Sequence, residues 1–278
     1  MKTSKLHRVS FSCVVLFILL CAAFPASAQT ILVDGGFETG AFSPNWSNSG
    51  GSIRAGLNGS TFAAFLPGGG TEVAQTKSTS SIGTPSSFTL DMYFAAGLPP
   101  SAGKNSLETS ILYQGDSTKG MLQMGVTDLT GSGTVGDVWV TNGITKTVLF
   151  TDSIAYSTDV GTGSEVIKTY RIRFTLNSIA GTYDVGLSAQ GGSTFTQTTF
   201  GQTIWVTNPS VTGFTNPTSL EVKLIGGNTG GPPANQGVGI FDNIYLGSAL
   251  IVPEPSSIAL LGIASVFFLK RSRRKFLN

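Results

Sequence analysis

Residues 168–187 read KTYRIRFTLNSIAGTYDVGL, and this stretch decides the fold class. Tyr170, Ile172, Phe174 and Leu176 occupy every second position, with Arg171, Arg173 and Thr175 between them. A period of two marks a strand with one buried face, because successive side chains of a strand point to opposite sides. Asn177 to Gly181 supplies a turn, after which Tyr183, Val185 and Leu187 resume the alternation. The pair reads as an antiparallel hairpin. Working outward, further strands are expected at Thr61–Leu66, Thr71–Thr76, Ser87–Phe94, Ser106–Tyr113, Met121–Thr127, Asp137–Thr141 and Thr145–Phe150. Later ones are expected at Thr203–Val206, Leu220–Ile225 and Val238–Leu246. Asn142-Gly143 is a strong hairpin-turn dipeptide between two of them. Strands at intervals of about 8–15 residues, with no helical period and no repeat of 20–50 residues, predict an all-β sandwich of two antiparallel sheets.

The two ends of the chain do not share this pattern. Lys2, Lys5 and Arg8 precede an apolar run from Phe11 to Ala23, then Pro25-Ala26-Ser27-Ala28. This is the layout of a secretory signal, with cleavage by signal peptidase expected between Ala28 and Gln29. Leu20 before Cys21 is not the small residue that lipidation requires. At the other end, Pro253-Glu254-Pro255-Ser256-Ser257 leads into an uncharged run, Ile258 to Leu269, and then Lys270, Arg271, Arg273, Arg274 and Lys275. Such a run enters a bilayer, and the basic cluster holds the C-terminus on the cytoplasmic side. A helix over about 256–269 would be roughly 21 Å long, short against a hydrocarbon core of roughly 30 Å, although Lys270 and Arg271 can snorkel. The expected organisation is a signal peptide (1–28), one β-sandwich domain (29–250) and a C-terminal signal (251–278).

Val252-Pro253-Glu254-Pro255-Ser256, Leu260-Leu261-Gly262 and the basic cluster, in that order, closely resemble the PEP-CTERM sorting signal. The resemblance implies an exported protein of a Gram-negative bacterium. Its tail would be recognised in the inner membrane by an exosortase, a membrane-embedded transpeptidase, and cut near Pro-Glu-Pro. The body would pass to the cell surface or extracellular matrix. It covers the last tenth of the chain and concerns destination, not the activity of the body.

Composition narrows the chemistry of that body. His7, Cys13 and Cys21 all lie in the signal segment, so Gln29 to Val252 has no histidine and no cysteine. Disulfides, Ser-His-Asp and Cys-His nucleophiles, and His- or Cys-ligated metals are therefore excluded. Nine Lys and Arg against 14 Asp and Glu give this segment a net charge of −5, which argues against nucleic acid as a partner.

Leu32-Val33-Asp34-Gly35-Gly36-Phe37-Glu38-Thr39-Gly40 with Trp46, and the closing Ile240-Phe241-Asp242-Asn243-Ile244-Tyr245-Leu246, resemble the two ends of jelly-roll carbohydrate-binding modules. Tyr170 to Leu187 equally resembles the concanavalin A-like lectins and glucanases. Both imply a jelly roll of two stacked antiparallel sheets. On a regular strand Asp242 shares a face with Val238, Ile240, Ile244 and Leu246, so its carboxylate is expected inside and in need of a partner. The carbohydrate-module resemblance implies a structural calcium held by Glu38 and Asp242. The alternatives are a bulge that turns Asp242 outward, or satisfaction by backbone N–H groups. No other cofactor is expected.

Trp46, Trp139, Trp205, Tyr93 and Tyr113 are candidates for stacking on sugar rings, against the plainer reading that they are core. Arg171 and Arg173 are expected to be solvated or paired with acids on neighbouring strands. The Glu-x-Asp-x-x-Glu strand by which concanavalin A-like glycosidases resemble one another is absent, and Gly68-Gly69-Gly70 reads as a loop, not a phosphate cradle. The expectation is a non-catalytic surface or matrix protein, structural or adhesive, with weak affinity for exopolysaccharide. A His-free glycoside hydrolase and a dedicated carbohydrate-binding module are the alternatives.

Overall fold

The computed structural model describes residues 30–78, 87–98, 104–113, 120–141, 146–158, 166–177, 182–189, 194–203, 219–227 and 237–248. The Ala28–Gln29 cleavage position, Pro253-Glu254-Pro255, the helix expected over about 256–269 and the cluster Lys270 to Lys275 lie outside the described residues, as does Trp205. Among the described residues no helix is long and apolar enough to cross a membrane.

The described body is β throughout: β1 (Ser47–Ser49), β2 (Ser52–Ala55), β3 (Phe62–Leu66), β4 (Glu72–Ser78), β5 (Ser87–Ala96), β6 (Asn105–Tyr113) and β7 (Gly120–Thr127), followed by β8 (Val135–Thr141), β9 (Lys146–Ala155), β10 (Tyr170–Asn177), β11 (Thr182–Ser188), β12 (Gln197–Thr203), β13 (Ser219–Gly226) and β14 (Gly239–Ser248). They form two seven-stranded antiparallel sheets. Sheet A runs β12-β11-β10-β5-β14-β3-β2, and sheet B runs β1-β4-β13-β6-β7-β8-β9. The chain passes repeatedly from one sheet to the other, giving the jelly-roll sandwich expected.

The hairpin read from residues 168–187 is β10–β11, with Phe174 opposite Val185 and Leu176 opposite Tyr183. On its other side β10 pairs with β5, which sets Ile172 against Met92 and Phe174 against Leu90. These side chains meet Val222 and Leu224 of β13, Met124 and Val126 of β7, and Val138 and Val140 of β8 in one buried cluster between the sheets. Each such side chain contributes about 1.5–3 kcal/mol relative to exposure, so the inner faces supply most of the driving force for folding.

Two expectations need correction. The strand placed at Thr203–Val206 is instead β12, Gln197–Thr203, and 204–206 lie outside the described residues. Its sequence QTTFGQT is polar because it is an edge strand and needs no apolar face. Asp242 does not share a face with Ile244 and Leu246. Between Asp242 and Tyr245 the pairing of β14 with β5 shifts register, and Asn243 takes φ 48°. This bulge reverses the phase of the strand. Phe241, Ile244 and Leu246 enter the main core, whereas Ile240 joins Leu57, Ala63, Phe65, Ala95 and Val238 in a second cluster outside sheet A.

Backbone contacts tie the start of the body to its last strand. Ile31 N–H donates to Leu246 O (2.7 Å), Ile244 N–H donates to Gly35 O (2.9 Å), and Thr30 bridges to Gly247.

Candidate functional site

The outer face of sheet B carries a connected polar network where a solvated face would show scattered side chains. Its hub is Asn105. A register shift between Asn105 and Leu107 places Asn105 and Glu108 on the same outer face, although regular alternation would separate them. Asn105 Oδ1 accepts from Lys146 Nζ (2.6 Å) and from Thr127 Oγ1 (2.6 Å), while its Nδ2 donates to Glu108 Oε1. Gln123 Nε2 donates to Glu108 Oε2 (3.1 Å). Thr127 Oγ1 in turn accepts from Trp139 Nε1 (2.7 Å). The chain of bonds therefore runs from a buried indole to a half-buried carboxylate, and each bond polarises the next.

Trp139 is 1% exposed although it stands on the outer face. It sits opposite Gly125 of β7 and its ring covers that residue: a Cβ on Gly125 would lie 2.3 Å from Trp139 Cζ2. Lys146 Nζ lies 4.2 Å from the ring centroid, a cation–π contact that closes the indole from above.

Burial raises the pKa of Glu108, against the opposing effects of Lys146, Gln123 and Asn105. Burial also lowers that of Lys146, against Glu108. Both shifts favour neutral forms, so the pair is partly desolvated, as ionisable groups at functional sites often are. Chemically the face offers a carboxylate, an ammonium and two amides at fixed positions, the donors and acceptors that vicinal hydroxyls take.

The residues singled out from sequence fall elsewhere. Asp242 is fully buried, beneath the β2–β3 turn. Its Oδ2 accepts from Leu57 N–H (2.7 Å) and the Ser60 hydroxyl, and its Oδ1 from Asn243 N–H (2.6 Å). Glu38 is exposed and accepts from Thr61 N–H (3.2 Å), so both acids grip the same turn. Among the described residues no three His, Cys, Asp or Glu side chains are grouped to hold a metal.

Trp46 is core, tilted on Phe37 at 5.2 Å. Neither Trp46 nor Trp139 is open to a sugar. Tyr93 is half-buried on the outer face of sheet A, near Arg171. Arg171 and Arg173 both pair with Asp91 of β5, the neighbouring strand. Sequence reasoning did not single out Asn105, Glu108, Gln123 or Lys146, because their convergence depends on cross-strand register and a bulge.

Fold and site define a jelly-roll β-sandwich with a built polar face on one sheet. At its C-terminal end the chain matches the PEP-CTERM protein-sorting motif over residues 252–275. This match implies export and cell-surface sorting in Gram-negative bacteria, with processing by an exosortase-type enzyme. Similar solved structures include a carbohydrate esterase from the Shiga toxin-encoding bacteriophage phi24B, 14% identical, with 80% of this chain and 100% of that one covered, at a TM-score of 0.48. Lectin II from Ulex europaeus is 12% identical, covering 74% and 94% at 0.43. The catalytic domain of a glycoside hydrolase family 131 protein from Coprinopsis cinerea is 12% identical, covering 80% and 96% at 0.45. No curated protein matches the chain.

Proposed function

We propose that this is a non-catalytic structural or adhesive component of the cell surface or extracellular matrix, whose body holds exopolysaccharide on the outer face of sheet B. The carrying observation is the network centred on Asn105, which fixes the Glu108 carboxylate and the Lys146 ammonium beside each other on the outer face of sheet B. Glycosidic hydrolysis by the usual routes needs two carboxyl groups about 5–9.5 Å apart. Glu108 is the single carboxylate bonded into this network among the described residues, and the body contains no histidine or cysteine.

The second reading, a His-free glycoside hydrolase, draws on the raised pKa of Glu108, which is what a general acid requires. One screen of the full chain against neutral and acidic polysaccharides separates the two. Saturable binding without reducing-sugar release, weakened about tenfold or more in Glu108→Gln at unchanged melting temperature, is expected. Multiple-turnover release that disappears in Glu108→Gln would replace the binding reading with the hydrolase.

A further inference from the structure

The outer face of sheet A, on the opposite side of the body, carries a second charged group. Arg171 and Arg173 are alternate residues of β10 and so project from the same face. Both bond the carboxylate of Asp91. Arg171 Nε donates to Oδ1 (2.9 Å) and its Nη2 to Oδ2 (2.7 Å), while Arg173 donates to Oδ2 through Nε (2.7 Å) and Nη2. Asp91 is 4% exposed, and two cations share its single negative charge. The group therefore keeps a net charge of +1 within a body whose net charge is −5.

Each guanidinium offers about five N–H donors in a planar fork, of which Asp91 engages only the Nε and Nη2 edge. The guanidinium side chains are 18% and 19% exposed, so part of each reaches solvent. Asp184, on the same face, accepts instead from Gly201 N–H (2.7 Å). The arginines are held rigid from the side: the Phe195 ring lies 5.5 Å from the Arg171 guanidinium and 5.0 Å from that of Arg173. Phe195 can lie there because Gly186 leaves room, a Cβ at that position falling 2.7 Å from Phe195 Cγ. Tyr93, 5.5 Å from the Arg171 guanidinium, joins this patch to the apolar cluster around Ile240. Ile240 with Arg54, Asn58 and Thr169 lines a cleft of about 330 Å³.

We propose that Arg171 and Arg173, sharing Asp91 beside the Phe195 ring, form a docking site for the carboxylate of a uronic-acid-containing polysaccharide. Long-range attraction is not the cause, since a body of net charge −5 repels a polyanion. What favours binding is a pre-ordered pair of planar donors matched to a carboxylate, whose entropy was spent when Asp91 fixed them. The cleft beyond Tyr93 then accommodates an adjoining sugar ring. The inference is independent of the network on sheet B, which lies on the other sheet and calls for hydroxyl groups rather than a carboxylate.

Affinity electrophoresis of the full chain in detergent, with polygalacturonate, dextran sulfate or dextran in the gel, tests it. Retardation by polygalacturonate is expected to exceed that by dextran sulfate, with none by dextran attributable to this site. Arg173→Lys keeps the charge but loses the fork, and is expected to weaken polygalacturonate binding about tenfold with the melting temperature preserved. Phe195→Ala is expected to weaken it less. Lys223→Gln, on sheet B, is expected to leave it unchanged. No retardation of the unmodified chain by polygalacturonate, equal affinity in Arg173→Lys, or stronger retention by dextran sulfate would each overturn the proposal. Loss of neutral-glycan binding in Glu108→Gln alone bears only on sheet B.

Discussion

The carboxylate of Asp242 takes hydrogen bonds from Leu57 N–H, the Ser60 hydroxyl and Asn243 N–H, all from within the body. Burial nevertheless raises its pKa, with the charge of Glu38 adding in the same direction. A carboxyl group whose pKa is higher folded than unfolded binds its proton more tightly in the folded state. Its contribution to stability therefore grows as pH falls through the folded value and is complete below the unfolded value near 3.8. Asp242→Asn sets an amide –NH2 against one of those donors and is expected to cost about 1–3 kcal/mol at neutral pH. The gap to the unmodified protein should widen on acidification, since only the aspartate gains a proton. Because three protein donors already occupy the carboxylate, thermal melts in EDTA and in added calcium are expected to superimpose. A chelator-dependent fall would instead establish the calcium that the ends of the sandwich suggested from sequence.

Register and bulges explain which parts of the strands were legible. β10 and β13 show the two-residue period in sequence and alternate buried with half-buried residues in place, because each has one face in the core, whereas β11 keeps the period in Tyr183, Val185 and Leu187 but also buries Gly186 and Ser188 between and after them. β14 does not read this way: Gly239 to Asp242 are all buried, Phe241 enters the core while Ile240 lies outside sheet A, and the bulge after Asp242 brings Ile244 and Leu246 onto the core face. A bulge adds one residue to one strand, a change set by its partner and invisible in its own pattern. The same device near Asn105 gathered the network on sheet B. β1 and β2 escaped notice because SNS and SIRA are too short and exposed to carry a period. On sheet B the Trp139 ring requires a bare backbone beneath it. Gly125→Ala is thus expected to displace the indole and destabilise by about 1–3 kcal/mol, readable as a lower denaturation midpoint and altered tryptophan fluorescence. Unchanged fluorescence would show that the ring does not rest on Gly125.

Across the whole molecule, charge is segregated: eight of the 17 Lys and Arg lie in the two ends and nine in the body. The basic cluster Lys270 to Lys275 belongs to the sorting motif matched over 252–275. Replacing Pro253, Glu254 and Pro255 with alanine is expected to leave export intact and to hold the uncut precursor in the inner membrane. Intact-mass measurement of the unaltered protein recovered from the cell surface should show loss of the C-terminal segment. Surface material that still extends to Asn278 would refute that processing.

The fold class and the destination were written locally, in a two-residue period and in a terminal proline–apolar–basic series, and neither needs knowledge of distant contacts. The absence of histidine and cysteine from the body restricted its chemistry in the same direct way. The polar face was decided only by tertiary structure. Asn105, Glu108, Gln123, Thr127, Trp139 and Lys146 come from four strands, and their meeting depends on strand order, register and one bulge. Likewise Asp91 lies 80 residues from Arg171 in sequence, and only the pairing of β5 with β10 makes them one group. Periodicity encodes which side of a strand is buried; which strands become neighbours is settled by how the two sheets close over a shared core.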